Sequence, residues 1–400
     1  MPVTAARPRT ASLIALCFLS SSFVAQAPRT DPDLTVHEWG TFTSVAGQDG
    51  QAVKWSTLNG SVDLPAFVEH INSAQFKAGL RGRVRMETPV LYFYSPKETE
   101  VSVKVAFSKG LITEWYPHAN RVEPDPQNFI DANGLDHRRV RGTIMWDSLK
   151  VSPNAIPSFP QDSKSPDDRK NQYYAARETS AAPLIVRTRA GDQQEKFLFY
   201  RGVSAVSVPI SATVTAGGEV RLAHLGDDEI PSVILFERRG DKMGYRLGGG
   251  LAGELALEAP ELTATIEALN RDLEDVLTAH GLYPDEARAM IATWRRSWFE
   301  EGSRLFYIVP QSFLNAKLPL TINPEPGQTV RVFVGRLELV TPATEQAVRK
   351  VLADHDIMGL QKYTRFLEPI LSRMKADDPA GARQIDADLD LTYRSPQAEK

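Results

Sequence analysis

Residues 86–118 show the clearest alternation of apolar and polar positions in the chain, and they predict three consecutive strands at 90–94, 101–107 and 111–116. In the middle strand, valine or phenylalanine occupies every second position from 101 to 107. This period of two is typical of an antiparallel strand that buries one face. Gly110 lies where a tight hairpin needs a positive φ angle, so we expect a turn there.

Short strand patterns continue on both sides of a proline-rich stretch. Residues 34–151 and 184–257 each predict several strands separated by turns, which favours two antiparallel sandwich-like units. Residues 152–182, between them, have spaced prolines and little periodicity, as in a linker or a long surface loop. The two strand blocks resemble each other weakly in the spacing of tyrosine and glycine, which leaves open both an internal duplication and chance.

Helical periodicity begins at Pro260. Apolar residues then recur at every third or fourth position in three stretches, at 262–276, 290–298 and 363–374. Two strand patterns, at 305–310 and 329–340, lie between these helices, and Gly335 is expected to form a bulge. Pro369 is expected to kink the last helix.

These patterns predict an α+β fold that is predominantly β: two antiparallel β-sandwich-like units, followed by helices interleaved with a short strand pair. The expected segments are a signal peptide at 1–27, a first β domain at 28–151, a linker or long loop at 152–182, a second β domain at 183–258, a helical and β C-terminal region at 259–376, and a mobile tail at 377–400.

The first 27 residues have the composition of a secretory signal. Arg7 and Arg9 precede an apolar run at 11–24, and the small-x-small triplet at 25–27 resembles a cleavage site. Cys17, the only cysteine, lies inside this signal, so the mature chain would contain no disulfide, thiolate nucleophile or cysteine-based zinc site. Export without disulfides indicates a bacterial periplasm or an extracellular location.

The composition of the whole chain is that of a soluble globular protein, with 42% hydrophobic and 24% charged residues. A formal net charge of -4, without any lysine- and arginine-rich run, argues against a nucleic-acid partner. No later segment reaches the length of about 18 unbroken apolar residues that a membrane-spanning helix needs. We therefore expect no transmembrane segment in the mature chain.

Glu38 is the first candidate for chemistry. In the predicted opening strand it alternates in phase with Val36 and Phe42, so it points inward with them. A buried carboxylate needs an arginine, a metal ion or a raised pKa. A structural ion pair with an arginine such as Arg83 or Arg85 is the simpler of these interpretations.

Glu114, Trp115, Tyr116 and His118 form a second candidate group at the end of a predicted strand. Exposed aromatic rings beside a carboxylate suit a sugar, which stacks on the rings while the carboxylate binds its hydroxyl groups. Trp39, Trp115 and Tyr116 are therefore the candidate ligand-binding residues. The alternative is that these aromatic side chains belong to the core and rim of a sheet.

A metal centre is a third hypothesis, because four of the seven histidines lie in the first β domain. His37 and His118 are the candidate ligands, and the candidate catalytic carboxylates are Glu38, Glu87 and Glu114. No HExxH or H-x-H spacing supports such a centre, and scattered surface histidines are the alternative. No cofactor is expected, although histidine and carboxylate ligands would allow a metal ion.

The opening VHEWGTFTSV, together with TWRRSWFEEGSRLFYIVP at 293–310, resembles a group of exported bacterial proteins without an established activity. The resemblance covers most of the mature chain. It implies an exported location and a shared design, and it implies no chemistry and no functional residues.

The leading hypothesis is an exported, non-catalytic binding or envelope-associated protein whose partner is a glycan or another cell-envelope component. It depends on the aromatic and acidic strand ends of the first β domain. The alternative is an exported hydrolase, either a glycosidase with two carboxylates or a metal enzyme with histidine and carboxylate ligands.

Overall fold

The computed structural model of the protein describes residues 1, 30–58, 64–70, 80–124, 140–162 and 171–394. Almost all of the predicted signal peptide lies outside these residues. Among the helices of the described part, none combines the length and the apolar composition required to traverse a membrane. The α+β, mostly β class is confirmed, because three sheets are followed by C-terminal helices.

The largest sheet has nine strands and contains both ends of the strand-forming part of the chain. Its strands β1 (Thr30–Val45) and β18 (Glu325–Leu339) pair in parallel, and its other neighbouring pairs are antiparallel. In spatial order the strands are β14 (Lys242–Leu251), β13 (Ile230–Arg239), β16 (Gly302–Ile308), β18 (Glu325–Leu339), β1 (Thr30–Val45), β3 (Val84–Tyr94), β10 (Leu198–Ser204), β5 (Gly110–Tyr116) and β2 (Glu69–His70).

Two smaller antiparallel sheets accompany it. One has the order β17 (Leu320–Asn323), β4 (Thr99–Ser108), β7 (Arg141–Val151), β8 (Leu184–Thr188) and β9 (Gly191–Glu195), with β6 (Arg121–Glu123) also on β7. The other consists of β11 (Ile210–Val214), β12 (Val220–His224) and β15 (Glu254–Leu257). The strands before and after residues 152–182 thus share sheets, since β10 lies between β3 and β5.

Strand β4 has the predicted half-buried pattern. Its valines and Phe107 are buried, while Lys104 on the other face is exposed. However, β4 belongs to a different sheet from β3 and β5, so the three strands do not form one meander. The expectation of a positive φ at Gly110 is also wrong, because the preceding residue, Lys109, has that conformation with φ 47°.

Strand β1 lies inside the nine-stranded sheet and is buried on both faces from Val36 to its end. Val36 and Phe42 contribute to the core between the sheets. On the opposite face, Trp39 packs with the first two helices and Val45 packs with the C-terminal helices. Successive side chains of a strand point to opposite faces, so this one strand contributes to three separate apolar cores.

The helices lie mainly in the last third of the chain. Thr265 and Thr341 cap the helices that follow them, and each side-chain hydroxyl accepts a backbone N–H. Within the described residues the helices are α1 (Ile266–Ala279), α2 (Pro284–Trp298), α3 (Gln311–Lys317), α4 (Pro342–Ala353), α5 (Ile357–Gln361), α6 (Leu367–Asp377) and α7 (Ala382–Arg394), and a 3-10 turn spans Gln172–Arg177.

Two details of the C-terminal region differ from the sequence patterns. The predicted last helix is divided into α5 and α6. The predicted kink is also wrong, because Pro369 lies in the first turn of α6, where a residue needs no backbone N–H for the helix. The segment that was expected to be a mobile tail contains α7, whose Ile385 is buried against the other C-terminal helices.

Gly335 does not form the expected bulge. The pairing of β18 with β1 and with β16 runs through Gly335 without a shift of register. A Cβ atom at this position would lie 2.0 Å from Tyr307 Cζ on the neighbouring strand. The glycine is therefore required by close packing of the Tyr307 ring against the β18 backbone.

We predict that Gly335→Ala lowers the free energy of unfolding by about 1–3 kcal/mol or more, because the buried Tyr307 ring must move. Urea denaturation of the purified protein measures this change. Gly253→Ala is the matched control, since its Cβ would meet no atom within 4 Å. Equal stabilities of the two variants would contradict the packing interpretation.

Candidate functional site

Glu38 lies on the face of β1 that points into the core between the sheets, and it is fully buried. Its two oxygens are engaged by different strands. The Tyr200 hydroxyl donates to Oε1, and Arg331 Nε donates to Oε2 at 2.6 Å. The arginine partner is therefore Arg331 of β18 and neither Arg83 nor Arg85.

The pairing of the strands places this ion pair. Glu38 and Arg331 are direct partners in the parallel register of β1 and β18. The remaining donors of the guanidinium reach towards α3: Nη1 donates to Asn315 Oδ1 at 3.0 Å, and Nη2 donates to the Leu318 carbonyl at 2.8 Å. Arg331 is thus held by three groups at once, in a single orientation.

A cavity of about 730 Å³ opens beside this guanidinium, between α3, β17 and β18. We call it the Arg331 cavity. Amide and hydroxyl side chains alternate with apolar ones on its walls, and its only cationic side chain among the described residues is that of Arg331. The lining residues are Gln311, Asn315, Pro319, Leu320, Thr321, Ile322, Glu325, Pro326, Thr329 and Arg331.

The electrostatics of the trio indicate a structural role for Glu38. Burial raises the pKa of Tyr200 well above its ordinary value, and the Glu38 carboxylate raises it further. Tyr200 therefore stays a hydrogen-bond donor at neutral pH. Since both carboxylate oxygens already accept hydrogen bonds, Glu38 is suited to hold Arg331 at the cavity wall rather than to transfer a proton.

His37 lies on the opposite face of β1 and is also fully buried. Its Nδ1 is 2.7 Å from Glu286 Oε2, and the other Glu286 oxygen accepts from the Tyr94 hydroxyl at 2.8 Å. The Glu286 side chain also accepts the backbone N–H of Tyr283 at the start of α2. His37 therefore attaches the first turn of α2 to the central strand.

The second candidate group gathers around Glu69, a residue that the sequence patterns did not single out. Glu69 lies opposite Trp115 in the pairing of β2 and β5. Its carboxylate accepts from Trp115 Nε1 at 2.9 Å and lies 2.7 Å from His118 Nδ1. We call these three residues the edge group; the Trp115 side chain is partly buried and that of His118 is half exposed.

The other aromatic candidates lie deeper. Trp39 has no exposed surface and packs beside Tyr92 in the core under α1 and α2. Tyr116 is buried in the same core, against Phe67. Of the three candidate ligand-binding residues, only Trp115 therefore presents part of its ring to solvent.

Glu87 lies on the helix-facing side of the sheet and is buried. It contacts Arg365, and Arg85 Nε lies 3.5 Å from its Oε1. In the register of β1 and β3, Thr41 is opposite Glu87 and Thr43 is opposite Arg85. The two guanidinium groups therefore supply the counter-charges of this buried carboxylate.

These residues belong to a longer row of charged and hydroxyl side chains. Along β1 the row lies between Trp39, which packs under α1 and α2, and Val45, which packs with the C-terminal helices. On β18 the row lies between Val334, which belongs to the core under α1 and α2, and Val340, which follows the strand and packs with the C-terminal helices. We call this row the polar belt; it consists of Arg304, Arg336, Glu338, Thr41, Thr43, Arg85, Glu87, Arg201 and Glu114.

Glu114 is the third candidate carboxylate and lies at one end of the polar belt. Arg201 is its direct partner on β10, and His70 is its partner on β2. The Thr113 hydroxyl donates to its side chain. Glu38 lies on the other face of the sheet from the belt, so the structure brings Glu87 and Glu114 to one face and separates Glu38 from both.

The candidate metal ligands are dispersed. His37 is buried against α2, while His118 lies at the edge beside Glu69. Within the part of the chain that the structure describes, no group of three or more histidine, cysteine, aspartate or glutamate side chains could hold a metal ion. His137, one of the four histidines of the first β domain, lies outside the described residues.

Sequence reasoning missed the partners of nearly every candidate. Arg331 is separated from Glu38 by 293 positions, and Glu286 from His37 by 249. Nothing local marks these residues as partners. The one available signal was the glutamate three residues after Tyr283 in the first turn of a predicted helix, a pattern that favours capping.

Comparison with family models and with curated proteins gives no match. Among solved structures, a yeast delta-COP-I mu-homology domain complexed with a Dsl1 WxWxV peptide is similar over 77% of this chain and 96% of its own, with 11% identity and a TM-score of 0.25. A second structure of the yeast domain covers 77% and 95%, with 10% identity and a TM-score of 0.27. Neither similarity is close enough to support an inference about this chain.

We predict that Arg331→Met lowers the free energy of unfolding by about 3–5 kcal/mol, because it leaves the buried Glu38 without its cation. Urea denaturation measures the change. The double variant Arg331→Met/Glu38→Gln should recover part of the loss, since the neutral amide needs no counter-charge. The effect of Glu38→Gln alone is measured for comparison. If the stability losses of Arg331→Met and Glu38→Gln simply add in the double variant, the two residues are not coupled and this account of the pair is wrong.

We also predict a loss of stability at alkaline pH. Tyr200 keeps its proton in the folded state to a higher pH than the ordinary tyrosine pKa of about 10. Its contribution to the free energy of unfolding is therefore complete below that pH and is lost above it. Tyr200→Phe should be less stable at pH of about 8, because a hydrogen bond is lost, but should lose less further stability by pH of about 10.5. Urea unfolding of the wild type and of Tyr200→Phe at the two pH values measures these losses of stability. An equal loss in both proteins would contradict the prediction.

Proposed function

We propose that the chain is an exported, non-catalytic binding protein and that the Arg331 cavity holds a small, neutral, polar ligand such as part of a glycan. The observation that carries this proposal is the combination of size and lining. About 730 Å³ lies within the range of about 300–1,000 Å³ that is usual for small-molecule sites. Apolar walls with a few oriented polar groups are also usual for such sites.

The polar groups of the cavity suit hydroxyl-rich ligands. Gln311 and Asn315 supply amides, which both donate and accept hydrogen bonds, and Thr321 and Thr329 supply hydroxyl groups. Gln311 Nε2 donates to Asn315 Oδ1 at 3.0 Å, so the two amides are already oriented relative to each other. Leu320 adds an apolar surface on which the carbon face of a sugar ring can lie.

The charges of the cavity disfavour an anionic ligand, because Glu325 lines it as well as Arg331. Arg331 is its cation, and the buried Glu38 carboxylate balances that charge at 2.6 Å. Because α3 also fixes the guanidinium through Asn315, little side-chain ordering remains to be done when a ligand binds. Preorganised polar groups of this kind improve the affinity for a ligand without a net charge.

The exported hydrolase stays an alternative prediction with Glu38, Glu87 and Glu114 as its carboxylates. We favour binding over hydrolysis because Glu38 is committed to Tyr200 and Arg331 on both oxygens. The edge group is the alternative surface for a glycan, since it holds the partly exposed Trp115 beside the Glu69 carboxylate.

A glycan array probed with the purified protein tests the proposal. We expect binding to at least one neutral glycan, and we expect Gln311→Ala and Thr321→Val each to weaken it about three- to tenfold, the effect of one lost hydrogen bond. Both side chains are exposed, so these substitutions should leave the fold intact. Gln361→Ala, an exposed glutamine on α5 outside the cavity, is the matched control and should bind normally.

Trp115→Ala distinguishes the two surfaces. The proposal expects unchanged binding by this variant, because Trp115 is not part of the Arg331 cavity. Loss of binding by Trp115→Ala, with normal binding by the two cavity variants, would transfer the function to the edge group. Absence of any binding by the wild-type protein would overturn the proposal as a whole.

A further inference from the structure

A second cavity, of about 470 Å³, lies between α6, α7 and the segment that contains Ser56. We call it the C-terminal cavity. Its residues are distinct from those of the Arg331 cavity. The lining side chains are those of Ser56, Thr364, Arg365, Leu367, Glu368, Leu371, Ser372, Lys375, Leu389 and Tyr393.

One wall of the C-terminal cavity is apolar. Leu367 and Leu371 are four residues apart on α6, so they lie on the same face of that helix. Leu389 and Tyr393 show the same spacing on α7, and the Tyr393 side chain is exposed. Together these four side chains form an apolar surface long enough to accommodate a short hydrocarbon chain or a ring.

The charges on the remaining wall favour an anion. Arg365 and Lys375 are cationic, and Glu368 is the acidic lining residue. Both Glu368 oxygens are already engaged, because Oε2 accepts the Ser56 N–H at 2.8 Å and Oε1 pairs with Arg81. Arg365 is paired with the buried Glu87, but Glu87 is shared with Arg85, so these two guanidinium groups keep one net positive charge beside the cavity.

Lys375 can exchange its present partner for a ligand. It pairs with Asp386 on α7, and the Asp386 side chain is 62% exposed. Exposed ion pairs of this kind contribute little to stability, so replacing this one by a bound carboxylate has a low cost. The ammonium group has three rotatable donors and can follow the ligand.

The polar belt behind the C-terminal cavity is also rich in donors. The Phe366 ring lies 4.9 Å from the Arg336 guanidinium and 5.3 Å from that of Arg365, so it connects belt and cavity. Within the described residues, Arg336 Nε and Nη1 and the hydroxyls of Thr41 and Thr43 are buried without a hydrogen-bond partner. These belt atoms are buried and do not line the cavity, so the cationic donors that a bound ligand reaches directly are those of Arg365 and Lys375.

We propose that the C-terminal cavity binds a small amphipathic carboxylate, a molecule with one acidic group and an apolar chain or ring. The carboxylate lies between Lys375 and Arg365, and the apolar part lies on the leucines of α6 and α7. This site is separate from the Arg331 cavity and does not depend on the glycan proposal.

Octanoate is the probe, with 1-octanol and inorganic phosphate as the matched uncharged and chain-free compounds. Isothermal titration of the purified protein should show one octanoate site that weakens as the salt concentration rises. Octanol and phosphate should each bind at least about tenfold more weakly, because each lacks one of the two required parts. Absence of octanoate binding to the wild type would overturn the proposal.

Two variants locate the site. Lys375→Gln should weaken octanoate binding about two- to fivefold, the effect of one partly exposed ion pair, while Lys350→Gln should bind normally. Lys350 is a suitable control because it also forms an exposed ion pair on a C-terminal helix but does not line the cavity. Tyr393→Ala should weaken octanoate and leave phosphate unchanged. Equal binding by the two lysine variants, or octanol binding as tight as octanoate binding, would refute the anionic site.

Discussion

The ion pair between Glu38 and Arg331 is the interaction on which the arrangement of this protein depends. Both residues lie on central strands, in direct register across the parallel pairing of β1 and β18. A one-residue slip of that pairing would leave a buried carboxylate without its cation, at a cost of several kcal/mol. The pair therefore specifies the register that joins the first described strand to the last long one, and it also places Arg331 at the wall of its cavity.

The two faces of β1 have different physical roles. One face closes the core between the sheets and contains the ion pair of Glu38 and Arg331, to which Tyr200 adds a hydrogen bond. The other face carries two helical layers, separated by the polar belt. The side chains of the polar belt interrupt the apolar surface of the sheet. The helices α1 and α2 therefore pack on one part of this surface, and the C-terminal helices pack on another. The C-terminal cavity lies where the second layer meets this interruption.

Local sequence patterns were sufficient to predict the fold class and many of the strands and helices. The alternation of valines in β4 and the inward direction of Glu38 both depend on residues close to one another in the chain. Errors occurred where a neighbour from a distant strand decided the conformation. Gly335 is a glycine because Tyr307 packs on it, and Lys109 rather than Gly110 takes the positive φ at the junction between two sheets.

The sequence by itself determined that the chain is α+β and mostly β, that Glu38 is buried, and where many of the strands and helices lie, because periodicity is a property of neighbouring residues. Only the tertiary structure decided which strands are adjacent and which partners satisfy the buried charges. Arg331 and Glu286 reach β1 across more than half of the chain. Pairings over such distances are selected by packing and charge neutralisation in the folded state, so no local pattern encodes them.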